Sequence, residues 1–336
     1  MDSLSQLVLG AAVSVAVMQR RTAVWKAAAW GAVAGTLPDL DVVLDHGDPI
    51  LNMVLHRAET HSLFWLTLFS LPLAAAVARL HGEWAQWKRW WLALWLVLVT
   101  HPLLDAITVY GTQLLLPFSD RPLGVGSMFI IDPLYTLPLL VGVLWVVFSR
   151  GSRVGLRANT VGLVLSCTYL VWSVAAQQHV TDVARAALAR QGVTAQHLLV
   201  TPTGFTTLLW RVVAVDGDSY HEGFHALLDA PGTLSFERFK RGNGLAAELQ
   251  DNDRAQRIQR FSQGLYKLHA DGDRLLVTDL RMGIENNYSF SFVVAQRQGG
   301  VVRPVAVQQQ GSRVDVSRAL DWAWRRMWGE QLPPPR

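Results

Sequence analysis

Histidine and aspartate interrupt the apolar runs in the first part of the sequence. Neutral imidazole and carboxylate groups are good ligands for Zn²⁺ and for similar divalent ions. Charged groups beside hydrocarbon are costly, and several carboxylates that converge would repel one another unless a cation compensated them. We therefore predict a site for one or two divalent ions, Zn²⁺ first and Mn²⁺ or another metal second. The predicted ligands are Asp39, Asp41, His56, His61, His101 and Asp105.

Spacing suggests how these side chains meet. His101 and Asp105 are four residues apart, which on a helix places both on one face about one turn apart. Asp39 and Asp41 are two apart, so in an extended loop they would point the same way and share a metal, or one would support the other. His61 directly precedes an apolar run, and we expect its ring to turn toward the same metal site.

The predicted chemistry is hydrolysis. A metal ion with an open position lowers the pKa of its bound water to about 7, which makes hydroxide available as a nucleophile. Arg57 could hold an anionic group of the substrate, because guanidinium pairs bidentately with phosphate or carboxylate. The residues predicted to act in catalysis are Arg57, Asp105 and Asp132.

Each of these residues also has a plainer interpretation. Asp132 stands before Pro133 and could simply cap a helix. Asp39 and Asp41 could be turn residues after Pro38, and a single histidine at a helix end is more often an interfacial residue than a ligand. Taken singly the plain interpretations are favoured; taken together the residues favour a metal site.

Six apolar segments must position this chemistry. They span 7–18, 27–37, 62–80, 90–104, 129–148 and 158–176. A membrane span needs about 20 apolar residues, so the first two are short and could be short spans, an interfacial hairpin or packed helices. The predicted fold is an all-α membrane domain over 1–176 followed by a soluble α+β domain over 177–336.

Basic residues order these segments across a membrane. They lie between the first and second segments, between the third and fourth, and between the fifth and sixth; they are Arg20, Arg21, Lys26, Arg79, Lys88, Arg89, Arg150, Arg153 and Arg157. Cytoplasmic loops collect Lys and Arg. If all six segments cross a bacterial inner membrane, the metal site and the C-terminal domain lie on its extracytoplasmic side.

The C-terminal stretch resembles an ordinary soluble domain. Alternating or β-rich runs predict strands at 208–215, 220–228, 275–280 and 289–294, and helices are expected over 245–262 and 315–328. The single cysteine, Cys167, excludes an intramolecular disulfide and a cysteine-based metal site. We see no basic tract that would predict nucleic-acid binding, and Asp2 stands where a cleavable signal peptide would be basic.

The motifs resemble those of the YdjM-type membrane-bound metal-dependent hydrolases. The matching sequences lie at 1–6 with Gly10, at 35–41, 56–57, 60–62, 100–105, 110–113 and 129–136. That family is similar to zinc-dependent phospholipase C and P1 nuclease, which are all-helical and hydrolyse phosphate esters. The resemblance implies a principal metal site formed by Asp39 or Asp41 with His61, His101 and Asp105, and Asp105 could bridge two ions. Gln6 stands where many members carry histidine, which argues against further ions.

Three functions compete at this point. The first is a hydrolase for a phosphate ester or a related ester, with a lipid or an envelope molecule as substrate. The second is a non-enzymatic membrane protein, in which a structural metal site ties helices together and the C-terminal domain binds a partner. The third, a transporter, is weaker, because transporters place their polar residues near the bilayer midplane and this sequence places them at segment ends. The protein partners and the role of 177–336 stay open.

Overall fold

Helices form the N-terminal half of the chain and antiparallel sheets form most of the C-terminal half. The computed structural model describes residues 1–311 and 315–336. Contacts divide the chain into two units. The first, here the helical unit, contains Met1–Leu44, Leu55–Val174 and Gly204–Thr206; the second, here the sheet unit, contains Asp45–Val54, Ala175–Thr203 and Thr207–Arg336. The predicted layout, a helical region followed by a sheet-rich region, is confirmed.

All six predicted apolar segments are helical. The helices of this half are α1 (Ser3–Met18), α2 (Val24–Thr36), α3 (Pro49–Leu55), α4 (Leu63–Leu80), α5 (Trp87–Ala106), α6 (Pro133–Phe148) and α7 (Arg153–Arg190). Three 3-10 turns, Pro38–Val43, Glu59–His61 and Trp84–Gln86, join them. Helix α7 does not end with the apolar run near Ala176 but continues to Arg190, because residues 177–190 lack the glycine or proline that would stop it.

Polar residues in the sequence fix where the helices begin. The Asp2 side chain accepts from the backbone amides of Leu4 and Ser5 and so caps α1. Ser62 caps α4 in the same way, by accepting from the amide of Trp65. Such caps satisfy backbone donors that the first helical turn leaves without partners.

Glycines let α1 and α2 approach closely. A Cβ added to Gly10 would lie 2.2 Å from the carbonyl oxygen of Gly31, and one added to Gly35 would lie 2.6 Å from that of Gln6. Small residues at helix contacts allow this backbone approach within membranes. The close packing brings Gln6 of α1 and Gly35 of α2 to one end of the helical unit.

Two of the described helices are long and apolar enough to cross a membrane. They are α4 and α7, while α1 and α6 are apolar but have only 16 residues each. By length and composition alone, a crossing by all six segments therefore remains a prediction.

The sheet unit contains two four-stranded antiparallel sheets. The first has the order β1 (His197–Pro202), β2 (Leu209–Asp216), β3 (Ser219–Ala226) and β4 (Glu237–Lys240). The second has the order β10 (Val301–Gln309), β9 (Ser291–Gln298), β6 (Arg274–Asp279) and β5 (Tyr266–Asp271). A small ribbon pairs β7 (Gly283–Ile284) with β8 (Asn287–Tyr288), and helices α8 (Asp253–Phe261) and α9 (Val316–Met327) complete the described unit.

The sequence predicted the buried strands better than the exposed ones. The four predicted strands correspond to β2, β3, β6 and β9. The sequence missed β1, β4, β5 and β10. Of these, β4 and β10 are largely exposed and lack a clear apolar alternation, whereas β1 is mostly buried. The predicted helix over 245–262 is met in part: its first half contains the 3-10 turn Ala247–Leu249, and α8 begins only at Asp253, where Asn252 accepts from the amide of Ala255 and caps it.

Candidate metal centre

Four of the predicted ligands meet within the helical unit. Asp39 comes from the 3-10 turn after α2, His61 from the last residue of the turn Glu59–His61, and His101 and Asp105 from the last two turns of α5. Each residue offers one atom that could coordinate a metal, and these four atoms all lie within 4.8 Å of one another. We call Asp39, His61, His101 and Asp105 the acceptor cluster.

The spacing within the acceptor cluster matches a small tetrahedral ion. The Nε2 atom of His61 lies 3.2 Å from Nε2 of His101, 3.3 Å from Oδ1 of Asp39 and 3.2 Å from Oδ2 of Asp105. The Nε2 atom of His101 lies 3.4 and 3.6 Å from the same two carboxylate oxygens. Four ligands about 2.0–2.1 Å from a tetrahedral Zn²⁺ would be about 3.3–3.4 Å apart. The five distances are therefore those of a zinc-sized coordination shell.

A backbone carbonyl fixes the tautomer of His101. The Nδ1 atom of this ring lies 2.6 Å from the carbonyl oxygen of Gly35. A carbonyl oxygen can only accept, so Nδ1 must carry the proton. In the neutral ring, Nε2 then presents a lone pair to the acceptor cluster.

Thr60 fixes the tautomer of His61 through a two-step relay. The Thr60 hydroxyl donates to Oδ2 of Asp41 at 2.8 Å, and it lies 2.9 Å from Nδ1 of His61. Because its proton is committed to Asp41, the hydroxyl accepts from Nδ1 of His61. The Nε2 atom of His61 is therefore also a lone pair when the ring is neutral.

Four acceptors consequently face one another at a common centre. The cluster is deeply buried: His61, His101 and Asp105 are at most 1% exposed, while the Asp39 side chain keeps 20% of its surface. The Oδ2 atom of Asp105 is buried and makes no hydrogen bond, although Nε of Arg57 lies 3.2 Å from it as an ion pair. Burying acceptors without a donor is expensive, and a cation would satisfy all four. This chemistry fits a divalent metal ion.

The acidic groups of the loop stay ionised. Burial acts to raise the pKa of Asp39, but the neighbouring His101 and His61 rings outweigh burial and hold the pKa below its ordinary value. Burial also acts to raise the pKa of Asp41, but hydrogen bonds from His56, Arg57 and Thr60 outweigh burial and lower that pKa. Burial lowers the pKa of His61, yet the carboxylates of Asp105 and Asp39 outweigh it and raise that pKa. A proton therefore competes with a metal ion for this ring.

Asp41 and His56 lie one step away from the acceptor cluster. Asp41 accepts from the backbone amide of Arg57 at 3.0 Å, and its Oδ1 atom lies 2.8 Å from Nδ1 of His56. The expectation that Asp39 and Asp41 point the same way is wrong, because the segment is a 3-10 turn rather than an extended loop. The two carboxylates instead lie at opposite nitrogens of the His61 ring. The geometry makes Asp41 a support for His61 rather than a ligand beside Asp39.

Arg57 is buried beside Asp105. Its Nε atom lies 3.2 Å from Oδ2 of Asp105, and a terminal nitrogen donates to Oγ1 of Thr108 at 3.2 Å. Its guanidinium also lies over the ring of Tyr110. The backbone at Arg57 has a φ of 66°. Two hydrogen bonds hold it there: its amide donates to the carboxylate of Asp41, and the amide of Gln113 donates to its carbonyl. Such strained residues persist where their surroundings fix them, and here the result is a cation held against Asp105.

The other oxygen of Asp105 faces hydrogen-bond donors. Gln6 donates from Nε2 to Oδ1 of Asp105 and to the carbonyl oxygen of His101, both at 3.1 Å. The α-amino group of Met1 also donates to Oδ1 of Asp105. A second metal bridged by Asp105 would need this oxygen, so the arrangement favours a single ion.

Asp132 lies outside the acceptor cluster. Its Oδ1 atom accepts from the amide of Leu134 at 3.0 Å and caps α6, while its Oδ2 atom accepts from the hydroxyl of Tyr169 at 2.9 Å. The plainer interpretation of the sequence, an N-cap before Pro133, describes this geometry. Both carboxylate oxygens have structural partners, which leaves the predicted catalytic role without support from the geometry.

Sequence reasoning overlooked the groups that orient the two imidazoles. The only sequence signal for the role of Thr60 was its position directly before His61. The carbonyl of Gly35 gave none, because any residue has a backbone carbonyl. A histidine ligand almost always donates its other ring proton to such a partner, and that general rule is what could have prompted the search.

Comparisons with known proteins cover this site. Residues 1–180 match the model of the family described as YdjM inner membrane protein. The uncharacterized protein YfhP of Bacillus subtilis (strain 168) is 23% identical over 268 residues, which cover 76% of this chain and 77% of that protein. No solved structure matches the chain. The residues that match the family include all four members of the acceptor cluster.

Proposed function

The chain belongs to the YdjM inner membrane protein family, and we propose that it is a membrane-bound metal-dependent hydrolase. The observation that carries the proposal is the acceptor cluster, in which two imidazole lone pairs and two carboxylate oxygens converge on one point. Histidine and carboxylate ligands at this spacing suit Zn²⁺, with Mn²⁺ as the next choice. The proposed substrate is a phosphate ester or a related ester of a lipid or an envelope molecule.

A divalent ion at the acceptor cluster would supply Lewis-acid activation of water and of the ester oxygen. The residues of the chain have separate tasks. Thr60 and the carbonyl of Gly35 orient the two imidazoles. Arg57 balances part of the charge on Asp105. Asp39 has the most exposed side chain of the four, so we place the approach of the substrate on its side.

The position of the site relative to the membrane is also part of the proposal. Lys and Arg are concentrated in the loops opposite those that carry the cluster, and cytoplasmic loops collect these residues. We therefore place the site and the sheet unit on the extracytoplasmic side of a chain that crosses the membrane six times. A site at the end of apolar helices suits a substrate with an apolar tail.

One observation favours a second candidate, a structural metal site. The acceptor cluster offers four protein ligands, and structural zinc sites are typically closed by four, whereas catalytic ones keep a position open. Replacing zinc by Co²⁺ distinguishes the two. If the ion has an accessible position, added phosphate will change the visible absorption of the cobalt protein, and a closed site will leave the spectrum unchanged.

The hydrolase proposal is tested by coupling metal content to turnover. The experiment compares wild-type protein, His101→Ala and the control His46→Ala, an exposed histidine outside the acceptor cluster, with a panel of phosphoester lipids and added Zn²⁺ or Mn²⁺. We expect His101→Ala to lose bound metal and turnover together, and His46→Ala to keep both. Turnover that survives full loss of the metal would refute the proposal.

A further inference from the structure

Helix α9 is fastened to the sheet unit by one of its faces. Arg326 donates from both terminal nitrogens to the carboxylate of Asp229, each at 2.7 Å, and also to the carbonyl of Phe224. Trp322 packs edge-to-face against the ring of Phe224, with the centroids 5.0 Å apart. Since this face is fixed, the opposite face of α9 is held outward.

The outward face of α9 carries an apolar stripe. It consists of residues four apart in the sequence: Val316, Leu320, Trp324 and Trp328, all exposed. The two tryptophans keep 60% and 57% of their surface exposed while their rings pack edge-to-face at 5.7 Å. Leu228, also exposed, lies beside the end of the helix, where its carbonyl faces Gly329. Residues four apart lie on one side of a helix, so the stripe is continuous.

Charge does not explain the stripe. The exposed polar side of α9 carries Arg318, Asp321 and Arg325, and Arg325 forms an ion pair with Glu330 at 2.6 Å. Arg325 is thus accompanied by the anions Asp321 and Glu330 at close range. An attraction between this face and a partner must come from its apolar area and from its indole groups.

We propose that the apolar stripe lies in the interfacial layer of the membrane that holds the helical unit, and so docks the sheet unit on lipid. Exposed contiguous apolar surface marks an interaction site. A helix face is a convex ridge without a pocket for a peptide, whereas a ridge of this kind can enter the headgroup layer. Tryptophan is enriched at this layer. The chain belongs to an inner membrane family, so a bilayer is always within reach of the tethered unit.

The experiment uses the full chain in lipid nanodiscs with a fluorescent probe on single cysteines. Cys167→Ser removes the native cysteine. Leu320→Cys then places a bimane label on the stripe, and Arg318→Cys places it on the polar side of the same helix as the matched control. Discs are made from phosphatidylcholine or from its counterpart with brominated acyl chains, which quench only probes that reach the apolar layer.

We expect the label at position 320 to lose most of its emission in brominated discs, while the label at 318 keeps most of its own. Equal and weak quenching at the two positions would overturn the proposal. So would a blue-shifted but unquenched label at 320, which would indicate that a second copy of the chain covers the stripe. Neither result depends on the metal site, because no hydrolytic activity is measured.

Discussion

Two buried clusters of charge in this molecule are built on opposite principles. In the sheet unit, Glu222 accepts from Arg211, and Glu285 accepts from Lys267 and from the hydroxyls of Tyr220 and Tyr288. Every carboxylate there faces a donor. The acceptor cluster in the helical unit has similar burial, yet its four inward-facing atoms include a carboxylate oxygen that makes no hydrogen bond, although the Arg57 guanidinium lies beside it.

The difference between the clusters separates a structural network from a binding site. A buried acceptor without a donor costs free energy, and folding alone does not repay this cost. The sheet-unit network is complete in itself and supports the fold. The acceptor cluster becomes complete only with a cation, and its two imidazoles are oriented in advance for one. The first prediction below changes the sheet-unit network, and the next two change the acceptor cluster.

The largest effect is expected from Glu222→Ala. This change leaves the guanidinium of Arg211 buried without its carboxylate, and breaking a buried pair from one side costs about 3–5 kcal/mol. We expect the free energy of unfolding in detergent to fall by that amount, measured by thermal or denaturant unfolding. Metal content should stay unchanged, and a loss of metal at the same time would show that the two clusters are not independent.

Thr60→Val is expected to weaken metal binding without removing a ligand. The change deletes the hydroxyl that accepts from Nδ1 of His61, so the tautomer of that ring is no longer fixed. Loss of such an orienting partner costs about 10–100-fold in metal affinity. Thr100→Val, at a hydroxyl that bonds only to backbone carbonyls of its own helix, is the control. Titration with Zn²⁺ against a competing chelator gives both affinities, and equal affinities would contradict the relay through Thr60.

Asp39→Asn should cost more stability with metal than without it. In protein stripped by a chelator, Asp39 lies beside His61, whose pKa the carboxylates raise, so we expect the loss of its charge to lower the free energy of unfolding by about 1 kcal/mol. In protein supplied with Zn²⁺, the same change also removes a ligand, and the loss should be larger. An equal loss in both conditions would mean that Asp39 belongs to a self-sufficient network like that of Glu222.

The smallest effect concerns the dependence of stability on pH. Burial lowers the pKa of His225, and the charges of Arg326 and His179 add to this while Asp229 opposes it. The unfolded chain therefore binds a proton more readily than the folded one, so stability falls as pH drops below about 6.5. Replacing His225 by Gln should flatten that slope by less than about 1.4 kcal/mol per pH unit, the limit for one proton.

Other histidines of the sheet unit contribute to the same dependence of stability on pH. Burial also lowers the pKa of His221 and of His269, so the slope should flatten only in part. Unfolding measured between pH 7 and 5 in the presence of a chelator removes the contribution of the metal. A steeper slope in the variant would contradict the assigned sign.

The sequence predicted most reliably what local geometry decides. His101 and Asp105 meet because four residues make about one helical turn, and the surrounding apolar run already required a helix. Six of the seven helices α1–α7 followed from hydrophobic runs in the same way, whereas the short α3 was not predicted. The length of α7 did not, because its last turns are polar and α7 continues past the apolar run.

Tertiary contacts decided what the sequence left open. Whether the segment after Pro38 is extended or a 3-10 turn cannot be derived from its residues, and this choice separates Asp39 from Asp41. The partner of His101 is a backbone carbonyl, which no residue type reveals. For Asp132 the local sequence was enough, because an aspartate directly before Pro133 already suggested the helix cap that the structure contains.

The central claim is that the acceptor cluster holds a metal ion, and elemental analysis of detergent-purified protein tests it most directly. Wild-type protein should contain about one zinc equivalent per chain, Asp105→Ala should contain almost none, and Glu285→Gln, changed in the self-sufficient network, should match the wild type. A folded wild-type protein that binds no divalent metal above the level of Asp105→Ala, even after incubation with Zn²⁺ or Mn²⁺, would contradict the account.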